Sequence, residues 1–64
     1  MNLRPREAQV LALIAEGATS RQIASNLGLA SRTVAIYRQR LLLKFDVPNT
    51  PALISAAFRQ GFLE

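Results

Sequence analysis

The sequence predicts an all-α fold, a bundle of four short helices. Apolar residues recur at spacings of three and four, as they do on one face of a helix. No segment alternates apolar and polar residues as a half-buried strand does, and glycines and prolines separate the periodic segments. The 64 residues are enough for one small domain, which we assign to residues 1–64.

The first helix is predicted over residues 5–16. Pro5 suits a first helical turn, and Gly17 suits the position after a helix end. The apolar stripe of this helix is Val10, Leu11 and Ile14. Glu7 lies on the same stripe, where an unpaired carboxylate is costly to bury. We therefore expect Glu7 to pair with an arginine of the third helix, Arg38 first; the alternative is an exposed carboxylate favoured by the helix dipole.

The second helix is short, about eight residues beginning after Thr19. Thr19 and Gln22 stand three apart, the spacing at which each side chain accepts a hydrogen bond from the other residue's amide. Its apolar face is Ile23, Ala24 and Leu27, and Gly28 closes it. So short a helix must be held by packing against its neighbours.

The third helix begins near Ala30 or Ser31 and runs to about Phe45. Its apolar stripe is Val34, Tyr37 or Arg38, Leu41 and Phe45. The fourth helix follows a turn with two prolines, is capped by Asn49 or Thr50, has Pro51 in its first turn, and ends at Gly61.

Composition disfavours several classes of protein. Without cysteine or histidine the chain has no disulfide, no thiolate or imidazole metal site, and no Ser-His or Cys-His nucleophile pair. We therefore expect no enzymatic activity, no metal and no cofactor. No apolar run approaches the roughly 20 residues that span a bilayer, so no membrane partner is expected.

The charge balance points to an anionic partner. Eight basic residues oppose four acidic ones, and seven of the eight are arginine, which binds phosphates and base edges bidentately. The net charge is +4 and the sequence pI is about 11.3. A solvated basic surface is the alternative explanation.

The second and third helices, joined by Gly28-Leu29-Ala30, have the outline of a helix-turn-helix. In that motif the first helix crosses the DNA backbone and the second lies in the major groove.

The whole chain resembles the DNA-binding domain of LuxR-type (GerE-like) bacterial transcription regulators, which is also the output domain of NarL-type response regulators. The resemblance is carried by an ordered set of stretches: Leu3-Arg4-Pro5-Arg6-Glu7, Val10-Leu11, and residues 15–24, 27–34, 41–44 and 61–63. It implies a four-helix domain that binds specific double-stranded DNA, usually as a homodimer. It also implies a bacterial, cytoplasmic protein with RNA polymerase as a candidate partner.

Five positions depart from the family pattern in ways that matter. Arg4 stands where a capping Thr or Ser is common, so we expect the first helix to fray at its start. Ala30 replaces the usual cap of the third helix, and we expect Ser31 to cap it instead. Residues 35 and 43, often polar in the family, are Ala and Leu here. Asp46 replaces a glycine, and Asp tolerates a left-handed turn better than most residues.

Within the motif, one face of the third helix is predicted to read bases. An arginine can fork onto guanine, a glutamine onto adenine, and Ala or Ile can touch a thymine methyl group. The predicted base contacts are Arg32, Ala35, Ile36 and Gln39. The alternative is a solvated face with one exposed isoleucine.

A second set of residues is predicted to bind backbone phosphates. Two of them open the second helix, where free amides and the helix dipole favour an anion. The set is Ser20, Arg21, Thr33, Tyr37, Arg40 and Lys44. Core packing is the alternative for Tyr37, and simple solvation is the alternative for Lys44.

Dimer contacts are predicted at Ala56 on the fourth helix and at Leu43. The alternative is that all the apolar residues of the fourth helix pack inward.

Ala35 and Leu43 also leave a second functional hypothesis, a LuxR-like module that pairs with another regulator without reading DNA. Binding to phosphates weakens steeply as salt rises, whereas an apolar protein interface does not, so salt dependence separates the two hypotheses.

Overall fold

Four helices and no strand make up the protein. In a computed structural model that describes residues 1–64, the helices are α1 (Pro5–Ala15), α2 (Ser20–Leu27), α3 (Ser31–Phe45) and α4 (Thr50–Arg59). The prediction of an all-α, four-helix fold is confirmed. The first and fourth helices stop one and two residues before their predicted ends at Glu16 and Gly61. No helix is both long and apolar enough to cross a membrane.

Side-chain caps start α2 and α4 as predicted. The Gln22 amide donates to Thr19 Oγ1 at 3.1 Å, and the Thr19 amide donates to Gln22 Oε1 at 2.8 Å. At α4 the Ala52 amide donates to Asn49 Oδ1 at 2.9 Å, so Asn49 is the cap. These bonds satisfy amides that have no partner inside the helix.

The starts of α1 and α3 differ from expectation. The Arg4 amide donates to Glu7 Oε1 at 2.9 Å, so Glu7 holds the end that was expected to fray. The expected Ser31 cap is wrong, because Ser31 is already helical and Ala30 is the cap residue, with no side-chain hydrogen bond. Asp46 adopts the left-handed conformation after α3, with φ of 54°.

The core lies between all four helices. α1 and α3 each contact all three of the other helices, so the core is built around these two. Eleven buried apolar residues form the core: Val10, Leu11, Ile14, Ile23, Ala24, Val34, Leu41, Phe45, Leu53, Ala56 and Ala57. Near the carboxyl terminus the Phe62 ring packs edge-on against Phe45, with centroids 5.4 Å apart. Since α3 buries only one stripe, its opposite face is left for other contacts.

Candidate nucleic-acid interface

A tight turn joins α2 to α3, so that the two helices follow one another as in a helix-turn-helix motif. Gly28 ends α2 with φ of 67°, a left-handed conformation that glycine adopts without steric cost. The Leu29 amide then donates to the Ala24 carbonyl at 2.9 Å, closing the helix end. The predicted motif is therefore present, with α3 as its second helix.

The four predicted base-contacting residues share the outer face of α3. Val34 and Leu41 on the inner face are fully buried. The residues three and four positions apart on the opposite face are all exposed: Arg32, Ala35, Ile36 and Gln39. Ile36 is 47% exposed, so this face presents an apolar side chain between polar ones.

One flank of that face carries three of the predicted phosphate contacts. Thr33 and Tyr37 are half-buried, and Tyr37 packs against the core. The exposed Arg40 guanidinium lies 6.0 Å from the centroid of the Tyr37 ring, within the range of a cation–π contact. The two interpretations of Tyr37 are compatible, since its ring contacts the core and also supports Arg40.

Two more of the predicted phosphate contacts lie at the start of α2. Ser20 is half-buried and Arg21 is exposed. Their amides have no hydrogen bond within the protein, since the Thr19 cap accepts only from Gln22. This helix start therefore presents free donors.

Lys44 has a partner inside the protein. Its Nζ donates to Glu7 Oε1 at 2.7 Å and to the Asn2 carbonyl oxygen at 3.4 Å. The expected Glu7–Arg38 pair is wrong, because the first turn of α1 meets the last turn of α3 rather than its middle. Lys44 was predicted as a phosphate contact, but its ammonium group is held by a carboxylate.

The electrostatics of Glu7 follow from this arrangement. Its side chain is only 5% exposed, and burial alone would favour the protonated form. The hydrogen bond from Lys44 is the largest influence, followed by the Arg4 amide, and together they lower the pKa of Glu7 below its ordinary value. The buried carboxylate is thus ionised and paired.

Arg38 does not have the partner that the sequence suggested. It is half-buried and lines a cavity between α2, α3 and α4, with Ser20 and Thr50 among the other lining residues. Sequence reasoning missed both Arg38 and Thr50 as binding candidates, since it assigned Arg38 to Glu7. No local pattern distinguishes Arg38 here, because α3 contains no acidic residue and Lys44 on the same helix still finds a carboxylate on α1.

The structure separates the two predicted dimer residues. Ala56 is 1% exposed, so the prediction that it meets a partner is wrong: α4 packs against both α1 and α3 and uses Ala56 for that core. Leu43 is 72% exposed on the outer side of α3. On α4 the exposed apolar side chain is Phe58, at 48%.

The charge of this region is one-sided. α2 and α3 carry Arg21, Arg32, Arg38, Arg40 and Lys44 and no acidic residue. The four carboxylate side chains lie elsewhere, at Glu7, Glu16, Asp46 and Glu64. The two helices of the motif therefore form the basic side of the molecule.

Comparison with known sequences also identifies a regulatory helix-turn-helix family. Residues 1–57 match the family described as bacterial regulatory proteins, luxR family. The chain is 41% identical over 59 residues to the uncharacterized response regulatory protein YgeK of Escherichia coli, covering 92% of this chain and 40% of that protein. It is 36% identical over 59 residues to the transcriptional regulatory protein FixJ of Azorhizobium caulinodans, covering 92% of this chain and 28% of FixJ. The chain thus spans well under half the length of these relatives.

Solved structures share the fold. The response regulator ChrA of a heme-sensing two-component system superposes with a TM-score of 0.92 and 31% identity, covering 97% of this chain and 31% of ChrA. VqmA bound to DPO superposes with a TM-score of 0.90 and 34% identity, covering 97% of this chain and 31% of VqmA. Family, fold and motif agree: the chain belongs to the LuxR family of bacterial regulatory proteins and has the helix-turn-helix fold of its solved relatives.

Proposed function

We propose that the chain recognises a specific double-stranded DNA sequence by inserting α3 into the major groove. The observation that carries the proposal is the outer face of α3, which is exposed, free of acidic residues and flanked by arginines. A B-DNA major groove is about 12 Å wide and a helix with its side chains about 10–12 Å, so the helix fits with its outer face against the base edges.

Each side chain of that face has a defined use in readout. Arg32 near the start of α3 presents a guanidinium fork that matches the O6 and N7 acceptors of guanine. Gln39 matches the N6 and N7 of adenine, while Ala35 and Ile36 contact thymine methyl groups. Four such residues read about four or five base pairs.

Phosphate contacts fix the register of the helix. Ser20 and Arg21 bind one phosphate through the start of α2, and Thr33, Tyr37 and Arg40 bind along a flank of α3. We leave Lys44 out of this set, because removing its ammonium from Glu7 would leave a buried carboxylate unpaired.

Recognition of four or five base pairs is too little to specify one site in a genome, so the protein acts as a homodimer on two half-sites about one helical turn apart. Leu43 and Phe58 are the exposed apolar side chains available for the contact, and Phe58 replaces Ala56 as the α4 residue. So small a surface gives a weak contact, with dimers forming on DNA rather than before it. The domain acts in the cytoplasm, with RNA polymerase as a candidate partner.

Selection of duplexes from a random pool tests the proposal. The wild-type chain should enrich one short motif, and its affinity for that duplex should fall steeply as salt rises. A protein-pairing module would enrich no motif and would show little salt dependence, which would overturn the proposal.

A further inference from the structure

A cavity of about 260 Å³ opens between the starts of α2 and α4 and the middle of α3. Its walls are largely apolar, formed by residues such as Ile14, Val34 and Ile54. Three polar side chains also line it: Ser20, Arg38 and Thr50. Arg38 is half-buried, so its aliphatic stem covers apolar wall while its guanidinium group is the one charge in the lining.

That charge has no anion in the protein. The one ion pair joins Glu7 to Lys44, and no hydrogen bond is made by the Arg38 side chain. None of the remaining carboxylates, Glu16, Asp46 and Glu64, pairs with a cation. A guanidinium group partly removed from water and left unpaired favours an anion supplied from outside.

Free amides accompany Arg38 at the same cavity. Thr19 and Asn49 cap the amides of Gln22 and Ala52 and leave those of Ser20 and Thr50 without a partner. Both of these residues line the cavity. The cavity therefore combines a cation with the starts of two helices, all of which attract negative charge.

The position of Arg38 on α3 identifies the anion. Residues two apart on a helix point to nearly opposite sides, so Arg38 and Arg40 occupy opposite flanks of the reading face. A helix that fills the major groove contacts the phosphate backbone on each side of it. Arg40 and Tyr37 serve one flank, which leaves the flank of Arg38 facing the other strand.

We propose that Arg38 and Thr50 complete the phosphate site that Ser20 forms at the start of α2, and that this phosphate lies on the DNA strand opposite the one that Arg40 contacts. The inference rests on the proposed insertion of α3 into the major groove. It gives α3 a phosphate contact on both flanks and replaces Lys44 with Arg38 in the set predicted from the sequence.

The test compares Arg38→Met with Arg38→Lys, which retains the charge, on the duplex that wild type selects. Both variants are first checked for wild-type helicity and thermal unfolding. Arg38→Met should bind the duplex more weakly than wild type. The slope of log K against log salt concentration should become shallower by about 0.9, which is the contribution of one neutralised phosphate. The ratio of the Kd of Arg38→Met to the Kd of wild type should therefore fall about threefold as salt rises from about 50 to about 200 mM. Arg38→Lys should keep most of the slope.

Duplexes with a single uncharged methylphosphonate locate the phosphate. Wild type should lose affinity at positions on both strands of a half-site, and Arg38→Met should become insensitive at one position on one strand. Arg40→Met, the matched comparison, should become insensitive on the other strand. A folded Arg38→Met protein with wild-type affinity and slope overturns the proposal.

Where Arg38→Met fails to fold, the wild-type scan can still overturn the proposal, because sensitive positions confined to a single strand contradict a contact on the Arg38 flank. The comparison of Arg38→Lys with wild type on the same duplexes then tests Arg38 itself: the position that it contacts should stay sensitive in both proteins. Absence of any selected duplex or of any salt dependence for wild type is a different result, since it refutes insertion of α3 itself.

Discussion

Lys44 Nζ lies 2.7 Å from Glu7 Oε1, and this ion pair ties the last turn of α3 to the first turn of α1. The same carboxylate oxygen accepts from the Arg4 amide, and the same ammonium donates to the Asn2 carbonyl. The pair therefore fixes the amino-terminal segment against the helix that is proposed to read DNA.

Removal of the cation should destabilise the protein. Lys44→Met leaves the buried Glu7 carboxylate without its counter-charge, at a cost of about 1–3 kcal/mol in the free energy of unfolding. This cost is lower than the roughly 3–5 kcal/mol expected for breaking a fully buried ion pair, because Lys44 is partly exposed to solvent. Urea denaturation measures the change. Adding Glu7→Gln should recover part of the loss, and equal destabilisation with and without Glu7→Gln would show that the two residues are not coupled.

The ion pair should also make stability depend on pH. The folded-state pKa of Glu7 is lowered by Lys44, so its contribution is present above the ordinary pKa of 4.5 and is lost as the pH falls through the lower folded value. The difference in unfolding free energy between wild type and Glu7→Gln should therefore be constant near neutral pH and shrink in acid. Denaturation curves from neutral pH to about pH 3 check this; a difference that grows in acid would contradict it.

Ala56→Arg should prevent folding. The side chain is buried between helices, and an arginine there both overpacks the core and buries an unpaired charge, a change expected to cost more than about 3 kcal/mol. Ser55→Arg is the control, because Ser55 is exposed on the same helix and should change stability by less than about 0.5 kcal/mol. Thermal unfolding distinguishes the two variants, and a stable Ala56→Arg protein would contradict the burial described.

Phe58→Arg tests the proposed dimer contact. The phenyl ring is half exposed, so the variant should fold, bind a single half-site normally and lose cooperative binding to paired half-sites. Gln60→Arg adds the same charge just beyond α4 and should keep cooperativity. Gel-shift titrations on one and two half-sites measure both properties. Cooperativity that persists in a folded Phe58→Arg protein would move the interface elsewhere.

Local signals predicted most of the fold. The Thr19–Gln22 pair, the Asn49 cap and the glycines after helices are decided by neighbours in sequence, and the structure retains each of them. The outer face of α3 followed from helical spacing alone. Those features depend on positions three or four residues apart.

Contacts between helices were not predictable in the same way. The partner of Glu7 depends on where α1 crosses α3, and that crossing selects Lys44 rather than Arg38. The fate of Ala56 depends on how many neighbours α4 has, since contact with both α1 and α3 buries a wider face than contact with one helix does. Residues three or four apart in sequence carry no information about where α1 crosses α3 or about which helices contact α4.

Base preference of the Arg32→Ala variant tests the central claim most directly, that the outer face of α3 reads DNA sequence. Wild type and Arg32→Ala are each used to select duplexes from a random pool, and both are titrated on the wild-type motif. The variant should bind that motif about 1–3 kcal/mol more weakly and should lose its preference at one base pair, with the other positions unchanged. An unchanged motif with equal loss of affinity on every sequence would contradict base readout by Arg32 and assign its guanidinium to a phosphate.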